Sequence, residues 1–166
     1  MRVLAFDPGF ERLGVAVVEK IDGKEIVVHS ECVRTNASLP FSERLLALGK
    51  ATEQLIQKFK PDAMALEEIF FGKNAKTGVQ IAEVRGMLTY LGLQKGLVVY
   101  GYTPLEVKIA VTGYGKSDKS AVALMVEKLV ELPRNPSTDE RVKRLDDELD
   151  AIAVGLTCLA SMRNVV

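Results

Sequence analysis

Arg2-Val3-Leu4-Ala5-Phe6-Asp7-Pro8-Gly9 opens the chain, and its reading decides the fold. Val3 to Phe6 form a short apolar run that ends in an acid and is turned at once by Pro8-Gly9. That is the pattern of a buried strand followed by a tight turn. Asp7 then stands at the strand's carboxyl end, where open α/β sheets place their ligand crevice. A carboxylate there is costly unless positive charge meets it. Which other residues reach that end of the sheet becomes the functional question.

Working outward, Leu13 to Val18 read as a second strand, and Asp22-Gly23 turns a hairpin into a third over Glu25 to Val33. Three strands on short turns make an antiparallel meander. Pro40 suits the first turn of a helix, in which Phe41, Leu45, Leu48, Leu55, Ile56 and Phe59 recur on one face. Pro61-Asp62 ends that helix. Ala63 to Leu66 follow as a buried fourth strand, closing in Glu67-Glu68. A helical crossover makes this strand parallel to the first, so Asp7 and Glu67 lie at like ends of parallel strands.

Ile69 to Asn74 read as a loop, and a helix then runs to about Lys95. Its second half is apolar nearly all round, from Val79, Ile81, Ala82 and Val84 to Met87, Leu88, Tyr90 and Leu91. Such a helix is covered on two sides, one by the sheet and the other by a second copy of the chain. Leu97 to Tyr100 make a fifth strand, and Pro104 to about Val111 a short helix carrying Lys108. After the Gly113-Tyr114-Gly115 turn, Ser117 is read as a helix N-cap with Asp118 in the first turn. Ala121, Leu124, Met125 and Leu129 are read as that helix's apolar face. Pro133 to Thr138 form a loop, and the charged run Asp139 to Asp146 is solvated. The last helix starts near Asp146 and buries Leu149, Ile152, Ala153 and Leu156. The predicted order, βββ-α-β-α-β-α-α, is an α/β fold. It has a mixed five-stranded sheet, helices on both faces, and one domain over 1–166.

Composition narrows the class. The chain has 166 residues, 48% hydrophobic and 27% charged, which suits one soluble domain with a full core. No apolar segment is long enough for a membrane span, and Met1-Arg2-Val3 enters a strand directly, so no secretory signal is read. A cytoplasmic location is expected, with Cys32 and Cys158 as buried free thiols. The 22 basic and 22 acidic residues cancel, so any DNA-binding surface must be a local patch. The lone His29 has no metal-ligand spacing and reads as strand packing. No phosphate loop, nucleophile elbow or CxxC pair is present.

Asp147 and Asp150 are three apart in the last helix and project from neighbouring positions. With Asp7 and Glu67 they give four carboxylates from three distant segments. Each has a plainer reading alone: a turn, a solvated strand end, or acids answering a helix dipole. Together, oxygen ligands without a His or Cys cluster select hard cations, Mg²⁺ or Mn²⁺. Two such ions about 4 Å apart are a general device for phosphodiester cleavage.

In order along the chain, F-D-P-G-F-E-R-L-G-V-A-V-V, A-L-E-E-I-F-F-G-K-N-A, P-L-E-V-K, G-K-S-D-K-S-A-V and L-D-D-E-L-D-A-I-A-V resemble the RuvC family of Holliday-junction resolvases (crossover-junction endodeoxyribonucleases). The resemblance spans nearly the whole chain. It implies an RNase H-like fold, a homodimer, a branch-migration helicase as partner, and nicking of opposed strands at a four-way DNA junction with two Mg²⁺ ions per subunit, Mn²⁺ substituting. By position, the implied metal-binding and catalytic acids are Asp7, Glu67, Asp147 and Asp150, with Asp146 an alternative to Asp147. Lys119 and Lys108 match family lysines near the scissile phosphate or along the DNA, and Lys73, Asn74, Lys76, Arg85 and Lys116 are read with them as a local DNA-binding face. Phe70 matches an aromatic that stacks on an unpaired base, which contributes about 1–3 kcal/mol. Phe71 is its alternative, because loop neighbours follow no period. Another RNase H-like nuclease acting on hybrids or flaps, and a DNA-binding protein with a lapsed site, are the competing readings.

Overall fold

The computed structural model describes residues 1–68, 75–130, 132 and 145–162. Strands β1 (Arg2–Asp7), β2 (Arg12–Ile21) and β3 (Lys24–Arg34) form the meander. Helix α1 (Phe41–Phe59) crosses to β4 (Ala63–Glu67), and α2 (Ala75–Gln94) crosses to β5 (Val98–Tyr102). Helices α3 (Pro104–Thr112), α4 (Lys119–Leu129) and α5 (Asp146–Ser161) complete the order. The sheet runs β3-β2-β1-β4-β5. β1 is antiparallel to β2 and parallel to β4, as the helical crossover requires.

Alternation along β1 separates two cores. Leu4 and Phe6 face α1 and α2 with Leu13, Val15, Met64, Leu66 and Leu88. Val3 and Ala5 face α5 with Ala16, Val18, Ala65, Ile152 and Val154. The second face is built from small residues, and α5 lies close upon it. A Cβ on Gly155 would stand 2.6 Å from Val18 Cγ2 and 3.2 Å from Ala5 Cβ, so only glycine permits that approach. Leu149 and Ala151 through Leu159 are buried, including Thr157, whose hydroxyl donates to the Ala153 carbonyl at 2.8 Å. α5 is therefore the central helix of the molecule rather than a one-sided surface helix.

The start of α5 is fixed by polar contacts. Asp146, Asp147 and Glu148 occupy its first turn, where the helix dipole favours negative charge. The Glu148 carboxylate accepts from the Ser30 hydroxyl of β3 at 2.8 Å and from the Leu145 N–H at 3.3 Å. α3 begins with a capping box, the Thr103 hydroxyl accepting from the Glu106 N–H while Glu106 accepts from the Thr103 N–H at 2.7 Å.

Two local expectations are corrected. Asp118, one residue after Ser117, caps α4, its carboxylate accepting from the Ala121 N–H at 2.8 Å. The Ser117 hydroxyl instead meets Thr112 Oγ1 at 2.8 Å and tightens the α3–α4 turn. The buried face of α4 is Val122 and Val126, whereas Leu124 and Leu129 are exposed. His29 stacks on Phe59 with ring centroids 5.0 Å apart, and Cys32 and Cys158 are free thiols as read from the sequence, although only Cys158 is buried and Cys32 is half-buried.

Candidate active site

Asp7 and Glu67 end adjacent parallel strands, one position beyond the paired Phe6 and Leu66. By alternation with Ala5 and Ala65, both side chains project to the α5 side. Their carboxyl groups are close enough to act on each other electrostatically. Asp150 approaches from α5, and its carboxylate accepts from Lys119 Nζ at 2.8 Å. Asp7, Glu67, Asp150 and Lys119 line one cavity of about 280 Å³, closed by Pro104, Val107, Lys108 and Val122. Segments from the first, middle and last thirds of the chain thus converge there.

The electrostatics are uneven. Burial pushes the Asp7 carboxyl up to about 6, and repulsion from Asp150 and Asp147 adds to it, while Lys119 pulls it back. Burial also pushes Glu67 up to about 7, with repulsion from Asp7 and Asp150 behind it. Lys119 is raised chiefly by its hydrogen bond to Asp150. The strand acids therefore lose their protons reluctantly, because the pull of Lys119 does not offset their desolvation.

Asp147 stands beside the cavity rather than in its lining. Its carboxylate pairs with the Arg12 guanidinium, and the Cys32 thiol points at it from 3.8 Å. The sheet register explains the position. Asp7 pairs with Gly14, and Gly14 pairs with Cys32, so the three form one row across β1, β2 and β3. A Cβ on Gly14 would collide with the Asp147 carbonyl oxygen, so the bare glycine is what lets the first turn of α5 settle over this row. Asp147 is near enough to act on Asp7, whereas exposed Asp146 acts on Lys119 and lines a neighbouring cavity of about 390 Å³ with Ser120, Ala123 and Leu149. Of the two candidates for the third acid, Asp147 has the better place.

Among the described residues, no three His, Cys, Asp or Glu side chains already stand at the spacing of a metal cage. The donor set still fits a hard divalent cation. It is made of carboxylate oxygens, and the charged forms of Asp7 and Glu67 are the ones that burial and mutual repulsion disfavour. Asp150 and Asp147 meanwhile each hold a basic side chain, Lys119 and Arg12.

Among the basic residues, Lys108 is half-buried in the cavity wall, and Lys116 and Lys119 are exposed at the α3–α4 corner beside it. Lys76 is exposed in the first turn of α2. Arg85 is placed differently. It packs against Glu68 at 3.8 Å, next to Gly101, where a Cβ would crowd both side chains. Its Nε is buried with no hydrogen-bond partner among the described residues, and it lies at the exit of β4, outside the cavity lining. Phe70, Phe71, Lys73 and Asn74 lie outside the described residues. Arg12 was not singled out from the sequence. The signal was the hairpin register, which brings the start of β2 back to the end of the sheet that carries Asp7.

A five-stranded sheet of this order, with helices on both faces, is the RNase H-like fold. The chain belongs to the RuvC family: the family model for crossover junction endodeoxyribonuclease RuvC matches residues 3–158. The RuvC protein of Ruminiclostridium cellulolyticum is 39% identical over 156 residues, covering 94% of this chain and 90% of the relative. That of Caldicellulosiruptor saccharolyticus is 38% identical over 167 residues, covering 100% and 96%. Among solved structures, Thermus thermophilus RuvC in complex with a Holliday junction substrate superposes with a TM-score of 0.86 at 32% identity, covering 98% of this chain and 95% of that one.

Proposed function

We propose that this endodeoxyribonuclease resolves four-way DNA junctions by metal-dependent hydrolysis of one phosphodiester in each of two opposed strands. The observation that carries the reading is the convergence of Asp7, Glu67 and Asp150 on one cavity edged by Lys108 and Lys119. Divalent ions held by Asp7, Glu67, Asp147 and Asp150, Mg²⁺ in the first instance, would supply an acidified water and charge stabilisation at the leaving oxygen. Asp7 and Glu67 sit on rigid strand ends, which holds their carboxylates in place through the reaction. Lys119, its side chain 78% exposed, offers a charge that can pass from Asp150 to a phosphate oxygen. Lys108 and Lys116 extend that positive edge along the DNA backbone, which reconciles zero net charge with a nucleic-acid substrate.

Cutting opposed strands requires two sites, hence two chains. Val79, Tyr90 and Leu93 of α2 are exposed apolar residues on one stripe, and a Cβ on Gly86 in the same stripe would meet nothing. A second α2 can approach closely along it, so the homodimer is assigned to this face. The test is cleavage of a synthetic four-way junction in Mg²⁺, with linear duplex as control. Symmetric nicks in the junction alone are expected, and equal cleavage of linear duplex would overturn the reading.

A further inference from the structure

The four acids of the centre are guarded by two basic residues on opposite sides. Lys119 comes from α4 and takes Asp150, while Arg12 comes from the start of β2 and takes Asp147. The Arg12 side chain is 47% exposed, so its charge is anchored by the carboxylate rather than by burial. It also edges a groove of about 360 Å³ lined by Gly9, Phe10, Glu11, Thr77 and Ile81, which leaves the side chain room to swing out. Asp147 itself cannot retreat, since its backbone rests on Gly14.

We infer that Arg12 is a placeholder, a positioning residue that neutralises Asp147 in the metal-free protein and must give way before Asp147 can join a divalent ion beside Asp7. A guanidinium and a dication cannot share one carboxylate at contact distance without mutual repulsion, so the two compete. By linkage, whatever weakens the Arg12–Asp147 pair tightens the ion. The inference rests on reading the acid cluster as a metal centre, and the experiment separates the two.

The experiment is Mn²⁺ binding to the metal-free full-length protein, followed by calorimetry. Arg12→Gln is expected to tighten the weaker binding event by about fivefold, the scale of a partly exposed ion pair. Arg12→Lys, which keeps the charge, is expected to stay near wild type. In an Asp147→Asn background the Arg12→Gln change should be silent. Unchanged or weaker binding by Arg12→Gln would overturn the inference while Asp7→Asn still abolished binding. If Asp7→Asn left Mn²⁺ binding intact, the metal-centre reading would fall with it. A second measurement uses the wild-type protein and needs no folding of a variant. The Arg12 side-chain Nε–H resonance should move from its ion-paired position as Mg²⁺ is titrated, and a resonance that stays put would also overturn the inference.

Discussion

Asp7 and Glu67 sit at the ends of strands, Asp147 and Asp150 in the first turns of a helix, and their surroundings treat the two pairs in opposite ways. The strand acids are half-buried, repel each other, and are pushed up to about 6 and about 7. The helix acids each hold a basic partner, Arg12 for Asp147 and Lys119 for Asp150. Rigid β geometry carries the pair whose ionised state is disfavoured, and long cationic side chains tend the pair that can be released. The contrast teaches that the site stores an unmet demand for positive charge at its strand end. The helix end meets the same demand with charges that can be exchanged.

The largest test of that contrast is Asp7→Asn. It removes the carboxylate that both Glu67 and the helix acids act upon, and cleavage of a four-way junction should fall by at least about a hundredfold. Junction binding in a gel shift should persist, because the lysines that edge the cavity are untouched. Cleavage at the wild-type rate would break the comparison at its root.

Stability against pH comes next. Asp7 and Glu67 have folded values raised above their ordinary 3.8 and 4.5, so the folded state binds protons that the unfolded state has already lost. Stability therefore falls as pH rises from about 4 to about 7, and then levels off. The loss is on the order of several kcal/mol, about 1.4 kcal/mol for each unit by which the pair is raised. Melting of metal-free protein should show this decline, Asp7→Asn should flatten it, and Mg²⁺ should restore stability at and above pH 7. A flat profile in wild type would mean that the strand acids are not under strain.

Gly14→Ala probes how the helix acids reach the strand acids. The added methyl meets the Asp147 carbonyl, so α5 must shift, at a cost of about 2 kcal/mol for overpacking. Thermal unfolding should show the loss, and Mn²⁺ binding should weaken more than stability alone accounts for. An alanine tolerated without effect would show that the seating of α5 does not depend on this contact.

Most of the fold was legible because turn chemistry punctuates it: Pro8-Gly9, Asp22-Gly23 and Pro61-Asp62 mark the strand ends. The strand acids were legible for the same reason, each lying where an apolar run stops. The Arg12–Asp147 pair was not. It depends on how closely α5 approaches β2, a tertiary distance set by an absent side chain at Gly14. The face of α4 was misread because Leu124 and Leu129 carry as much hydrophobicity as Val122 and Val126, and only packing against α3 and α5 decides between them. The Arg85–Glu68 contact was not legible either, because it depends on the space left by Gly101 on the neighbouring strand.

The smallest expected effect comes from Lys119→Gln. The lysine side chain is 78% exposed and its Asp150 partner 25%, so water screens the pair, which contributes at most about 1 kcal/mol to folding. Melting should therefore shift little, less than for Gly14→Ala. Cleavage should still fall, because the lost charge is the one that would face the phosphate, and added salt should weaken junction binding less steeply than in wild type. A large loss of stability with cleavage intact would reverse the assignment. Lys119 would then be a strut for α5, and the helix acids would be held as firmly as the strand acids.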